Sequence, residues 1–183
     1  MTESTAHRPV VTVFGSSRPA PGDAEYELAR TLGTGLAKAG FAVCNGGYGG
    51  IMAAASQGAK EAGGSTIGVT TRTFSRAANQ WIDREIPLPT MVDRLLKLVE
   101  LGDAYVVLKG GTGTLLELAC VWEFINKGVI GEKPIVVVGD FWEAVVSTLR
   151  NELLWEGAGD CTKYIRKVGT PQECAALLGS LLS

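Results

Sequence analysis

Asp103-Ala104-Tyr105-Val106-Val107-Leu108-Lys109-Gly110-Gly111-Thr112-Gly113-Thr114-Leu115-Leu116-Glu117 is the stretch on which the architecture turns. Asp103 to Leu108 is a short apolar run of the kind that forms a buried strand. Lys109 to Thr114 is a glycine turn, and Leu115 to Lys127 continues with apolar residues at helical spacing. A strand that runs through glycines straight into a helix is half of a βαβ unit.

The same succession recurs on both sides. Upstream, Val10 to Phe14 is a β-branched run ending in Gly15-Ser16-Ser17, and Asp23 to Ala39 carries Tyr26, Leu28, Ala29, Leu32 and Leu36 at helical spacing before Gly40. Phe41 to Cys44 then leads into Asn45-Gly46-Gly47-Tyr48-Gly49-Gly50, an alanine-rich helix from Ile51 to Ala62, and a third strand from Thr66 to Val69. Thr71 to Pro89 breaks the rhythm with Phe74, Asn79, Trp81 and two prolines, so a long functional loop is expected there. Alternation resumes with a helix from Thr90 to Leu101. Past the opening stretch come a strand from Pro134 to Val138, a helix from Trp142 to Leu154, a strand from Tyr164 to Val168, and a terminal helix opened by Thr170-Pro171. Short apolar strands alternating with helices are the pattern of a parallel sheet covered on both faces. The expected fold class is α/β, a doubly wound parallel sheet, with residues 1–9 a flexible N-terminal tail and residues 10–183 a single domain.

Composition narrows what such a domain does. Lys and Arg number 17 against 19 Asp and Glu, a net charge of -2, so no global field draws nucleic acid or an anionic membrane and any anion site must be local. The single histidine, His7, lies in the polar tail, which argues against Ser-His-Asp and Cys-His machinery and against a His-ligated metal. Cys44, Cys120, Cys161 and Cys174 form no C-x-x-C pair and are expected to be buried thiols in a reducing cytoplasm. No apolar run approaches the ~18 residues of a membrane span.

Glycine supplies 24 of 183 residues, and it concentrates where strands end: Gly15, then Gly46, Gly47, Gly49 and Gly50, then Gly110, Gly111 and Gly113. In an open parallel sheet these carboxyl ends share one edge, where ligands bind. Missing Cβ atoms let the backbone approach a ligand, and the helices that follow aim free N–H groups at it, so the edge suits a phosphate or carboxylate. Neither the G-x-G-x-x-G of dinucleotide folds nor the G-x-x-x-x-G-K-[ST] of P-loops occurs.

Two residues have competing readings. Thr114-x-x-Glu117 fits a capping box, in which the carboxylate returns to the start of its own helix, but it also fits a carboxylate held one turn inside a helix that faces an anion site. Arg94 fits a solvated helix face, since Asp93 and Lys97 have the spacing of a surface ion pair, but it also fits an anion fork over the crevice. The residues alone leave both pairs of readings open.

From Val10 to Leu154 the chain resembles the LOG family, Rossmann-like phosphoribohydrolases with a three-layer sandwich that release cytokinin bases from their riboside 5′-monophosphates. Phe14-Gly15-Ser16-Ser17 looks like the family's first-strand signature, and Asn45-Gly46-Gly47-Tyr48-Gly49-Gly50-Ile51-Met52 resembles its glycine stretch. Met91-x-x-Arg94 is similar to the M-x-x-R-K motif, and Gly110-Gly111-Thr112-Gly113-Thr114-x-x-Glu117 matches P-G-G-x-G-T-x-x-E after its first position. The resemblance implies catalytic roles for Arg94 and Glu117. It implies substrate binding by Gly15, Ser16, Gly46, Gly47, Met91 and the run Gly110, Gly111, Thr112, Gly113 and Thr114, with the glycine-threonine turn on the 5′-phosphate; Lys109, where the sequence departs from the motif, is expected to bind beside them. It also implies a homodimer. Leu95 stands where the motif has lysine, Lys109 where it has proline, and Leu116 where a first glutamate is common. Lys109 would bring positive charge to the crevice.

The expected function is hydrolysis of the N-glycosidic bond of an AMP-like purine nucleoside 5′-monophosphate, without metal or redox cofactor. The alternative is a non-catalytic carrier or sensor of a nucleotide or of the molybdenum cofactor. Family relatives often bear a lysine decarboxylase label, but nothing here looks like a pyridoxal-phosphate lysine site. Trp81, Trp122 and Trp155 cannot all be assumed buried in one subunit, which also favours a dimer.

Overall fold

The first strand of the chain is the central strand of the molecule. In β1 (Val10–Phe14) every residue is buried, because helices cover both of its faces. The protein's structure, a computed structural model, describes residues 8–182; His7 and most of the expected tail lie outside the described residues. After β1 come α1 (Ala24–Lys38), β2 (Ala42–Asn45), α2 (Ile51–Glu61), β3 (Thr66–Thr71) and β4 (Arg84–Leu88). Then follow α3 (Met91–Leu101), β5 (Ala104–Val107), α4 (Thr112–Asn126), β6 (Ile135–Val138), α5 (Glu143–Trp155), β7 (Ile165–Val168) and α6 (Pro171–Leu181).

The described strands form one seven-stranded sheet in the order β4-β3-β2-β1-β5-β6-β7, all pairs parallel. The chain winds outward from β1 in one direction, returns, and winds outward from β5 in the other. The carboxyl ends of β1 and β5 therefore flank the point where the winding reverses, the place where such sheets open a crevice. Alternation along β1 serves both layers: Val11 and Val13 pack with α1, α2 and α6, while Val10 and Phe14 pack with Leu98 of α3 and Leu118 and Val121 of α4. Thr12, on the second face, satisfies its buried hydroxyl on the carbonyl of Leu98 at 3.2 Å.

Two expectations are corrected. The segment from Thr71 to Pro89 is irregular only up to Asp83, because Arg84–Leu88 forms β4 and pairs with β3. Its Arg-Glu-Ile-Pro-Leu sequence lacks the apolar signature of a strand because β4 is an edge, where charges stay solvated and the missing N–H of Pro87 is tolerated. All four cysteines are free, but only Cys44 and Cys174 are buried; Cys120 and Cys161 are half-buried. Trp122 is buried within the subunit, its indole N–H donating to the carbonyl of Cys161 at 2.8 Å, whereas Trp155 is 82% exposed. Among the described residues no helix is long and apolar enough to cross a membrane.

The packing of α1 on α2 sets where the turn before α2 sits. The two backbones nearly touch: a Cβ on Gly58 would stand 1.9 Å from the carbonyl oxygen of Arg30. In isolation alanine favours a helix over glycine by ~1 kcal/mol, but overpacking costs typically ~1 to 3 kcal/mol and falls here on rigid backbone. Gly58→Ala is therefore expected to lower the urea midpoint. A raised midpoint would show that the α1–α2 contact yields.

Candidate active site

Three turns at the carboxyl edge meet around a cavity of about 290 Å³. Gly15, Ser16, Ser17 and Arg18 after β1 form one wall, Gly46, Tyr48 and Met52 a second, and Gly111 to Thr114 with Glu117 a third. Arg94 of α3 and Phe74 of the 72–83 segment complete it.

The turn after β2 is built from within. Asn45, fully buried, donates to the carbonyl of Met52 at 3.1 Å and to the Ser56 hydroxyl at 2.8 Å, and its own carbonyl accepts from the Gly47 N–H at 2.9 Å. From outside, Asn79 donates its side-chain amide to the carbonyls of Gly47 and Tyr48 at 3.0 and 2.9 Å. The Tyr48 hydroxyl donates to the Thr71 carbonyl at 3.1 Å and accepts from the Thr71 N–H at 2.9 Å, and the Phe74 ring meets Tyr48 edge-on at 5.7 Å. The irregular segment is thereby fastened across the turn.

Arg94 reaches into this arrangement. Its Nε donates to the carbonyl of Val69 at 2.8 Å, its guanidinium carbon lies 5.6 Å from the centre of the Tyr48 ring, and one terminal nitrogen stands 3.7 Å from a Glu117 carboxyl oxygen. The space it occupies exists because residue 46 is glycine: a Cβ there would fall 1.6 Å from the second terminal nitrogen. The solvated-face reading of α3 gives way on geometry. Lys97 pairs with Glu100 at 2.7 Å and the Asp93 carboxylate accepts from the Thr90 hydroxyl at 2.7 Å, so these two charges do not pair with each other, and Arg94 faces inward.

The capping-box reading of Glu117 is also overturned. α4 starts at Thr112 with Gly111 as its N-cap, so Thr114 is the third residue of the helix and not its cap. Gly111 has no side chain to cap the helix, which leaves the N–H groups of Thr112, Gly113 and Thr114 without a cap at the cavity wall. Glu117, one turn further in, faces Arg94. Its side chain is only 14% exposed, and burial pushes its carboxyl up to about 7 while the nearby guanidinium pulls it back down. A donor-rich helix terminus and a proton-exchanging carboxyl thus share one small space, where an anionic group can be held a few ångströms from an acid/base.

Of the residues expected here, Gly15, Ser16, Gly46, Arg94, Gly111, Thr112, Gly113, Thr114 and Glu117 line the cavity. Gly47 lies behind it, its would-be Cβ 2.8 Å from Thr70. Met91 is 47% exposed at the start of α3 and does not line the cavity. Lys109 and Gly110 line a neighbouring cavity, and the Lys109 ammonium stands 3.0 Å from Glu25, so its charge does not enter the crevice. Lys109 ends the strand on the side of α1, and the first turn of α1 supplies its partner. Asn45 and Tyr48 lie inside the glycine stretch, Phe74 and Asn79 inside the irregular segment and Arg18 just after the first glycine turn, and position is the only signal of a site role that the sequence carries for them.

Comparison with known proteins gives the family and the fold. Residues 8–156 match the SLOG cluster4 family. A cytokinin riboside 5′-monophosphate phosphoribohydrolase of Mycobacterium tuberculosis (strain ATCC 25618 / H37Rv) is 34% identical over 137 residues, 72% of this chain and 71% of that protein. The molybdenum cofactor binding protein of Rippkaea orientalis superposes with a TM-score of 0.75 at 26% identity, covering 97% of this chain and 99% of that one. The molybdenum cofactor carrier protein of Chlamydomonas reinhardtii shares the fold, with a TM-score of 0.76 at 22% identity over 96% of this chain and 99% of that one. With a family match that runs through β1, the Arg94 helix and the Glu117 helix, the chain belongs to the SLOG cluster4 family as a divergent LOG-like member.

Proposed function

We propose that the protein hydrolyses the N-glycosidic bond of a purine nucleoside 5′-monophosphate, releasing free base and ribose 5-phosphate. The observation that carries this reading is the buried Glu117 carboxyl, facing Arg94 across a cavity whose wall includes the uncapped start of α4. The 5′-phosphate binds the N–H groups of Thr112, Gly113 and Thr114, which brings the ribose toward Glu117. The C1′–N bond breaks with its electron pair leaving on the base, and C1′ passes through an oxocarbenium-like state. The Glu117 carboxylate stabilises that cation and orients a water molecule, whose oxygen bonds to C1′ as its proton passes to the carboxylate. Arg94 positions the nucleotide and assists the departing base, which takes up a proton from solvent, and Glu117 returns to solvent the proton it accepted. The phosphoribohydrolase relative from Mycobacterium tuberculosis supports the reaction class.

The rival reading, a binding module that holds a phosphate-bearing ligand without turning it over, draws on the likeness to the Rippkaea orientalis molybdenum cofactor binding protein, which covers 99% of that chain. Incubation with AMP and with prenylated AMP, followed by assay for free base, separates the two. Release of base supports the hydrolase; AMP bound without release supports the carrier.

Because the ionised carboxylate is the working form and its protonation midpoint is raised to about 7, kcat/KM should climb through that pH and level off above it. Glu117→Gln should keep the fold and most AMP affinity while lowering turnover by ~10²- to 10⁴-fold and abolishing the acid limb. Unchanged turnover in this variant would remove Glu117 from the mechanism.

The proposal extends to a homodimer. Met91, Val92 and Leu96 around Arg94, and Leu115 and Leu116 just before Glu117, are exposed apolar side chains on the two helices that carry the pair. A second copy of the chain covers this face. Sedimentation is expected to give twice 19.2 kDa for the protein and 19.2 kDa for Leu116→Asp, which alters a side chain 52% exposed in the subunit. A wild-type monomer at micromolar concentration would rule the dimer out.

A further inference from the structure

Across the ridge formed by Ser16 and Arg18 lies a second cavity of about 310 Å³, and these two residues belong to the walls of both. Its far side is the Phe141 ring, 50% exposed and braced edge-on by Trp142 at 5.0 Å, a residue anchored in turn by its indole N–H on the Leu108 carbonyl at 3.0 Å. Its remaining polar groups balance: Arg18 and Lys109 against Asp23 and Glu25, with Lys109 3.0 Å from Glu25 and 5.9 Å from the centre of the Phe141 ring.

The chemistry differs from that of the first cavity. A neutral pocket gives no preference for a second anion. Carboxylates that accept from hydroxyls, beside a braced, half-exposed aromatic ring, suit a nucleoside: ribose hydroxyls donate to Asp23 or Glu25, and a base stacks on the accessible part of Phe141. Arg18 is the group placed to bridge. It is exposed, makes no ion pair among the described residues, and stands where a chain of phosphates leaving the start of α4 would cross from one cavity into the other.

We propose that the crevice binds a dinucleoside diphosphate, one nucleotide half in the Arg94–Glu117 cavity and the second nucleoside on Phe141, with the diphosphate passing over Ser16 and Arg18. This rests on the nucleotide reading of the first cavity and widens its ligand class. It also gives a use to a half-exposed phenylalanine at the sheet edge that nucleoside monophosphate hydrolysis leaves without one.

Calorimetry of AMP and of diadenosine 5′,5′-diphosphate on the full chain tests it, using the wild type, Phe141→Leu and Phe141→Trp. The leucine keeps apolar bulk against Trp142 but cannot stack; the tryptophan stacks. The wild type should bind the dinucleotide at least about tenfold more tightly than AMP, the worth of one base–aromatic stack. Phe141→Leu should lose that advantage with AMP affinity unchanged, and Phe141→Trp should retain it. AMP bound normally with no gain for the dinucleotide, or a gain that survives Phe141→Leu, overturns the second subsite and leaves the nucleotide reading standing. Binding of neither ligand overturns both.

Discussion

A carboxyl and a guanidinium held close, but not in full contact, set the character of this molecule. Arg94 and Glu117 approach to 3.7 Å, beyond hydrogen-bond distance, because Arg94 already spends its Nε on the Val69 carbonyl and rests against Tyr48. A tight bidentate pair would hold Glu117 ionised and inert. At this separation burial outweighs the attraction and leaves the carboxyl poised near neutrality. Poise has a cost to the fold. With its protonation midpoint raised from 4.5 to about 7, Glu117 contributes stability that is fully present below pH 4.5 and is lost as pH rises through 7, amounting to about 3 kcal/mol.

The sheet makes that arrangement possible. Reversal of winding between β1 and β5 opens the crevice, and the β2 and β5 turns reach its rim without side chains at the crowded points. Gly46 is the clearest case, since any Cβ there takes the place of the guanidinium. The polar braces are as specific. Asn45 ties the β2 turn to α2 from below, while Asn79 and the Tyr48 hydroxyl tie it to the 72–83 segment and to β3 from above. These contacts hold Tyr48, and through it Arg94, in position, so Asn45 and Asn79, which lie outside the cavity wall, bear on the electrostatics of the site.

Much of this was legible in the sequence. Strands buried on both faces announce themselves as unbroken apolar runs, and the glycine turns between strand and helix mark the edge at which the cavity opens. Two readings stayed open because two structures share one pattern. Thr114-x-x-Glu117 has the spacing of a cap wherever the helix begins, and only the start at Thr112 separates the readings. Asp93 and Lys97 have the spacing of an ion pair, yet each finds a nearer partner in Thr90 and Glu100. Lys109 sits beside the motif but points to Glu25, because direction at a strand end is settled by the helix that follows the neighbouring strand. β4 was missed because an edge strand needs no apolar face, and Arg-Glu-Ile-Pro-Leu offers none.

The chemistry of the site depends on the ionisation of one side chain. Carbon-13 NMR of glutamate carboxyl groups, with the Glu117 resonance assigned by its loss in Glu117→Gln, measures it directly in the free protein. The expected titration midpoint is near 7, moving to higher pH in Arg94→Gln as the opposing charge is removed. A midpoint at the ordinary 4.5, unmoved by the arginine substitution, would contradict it.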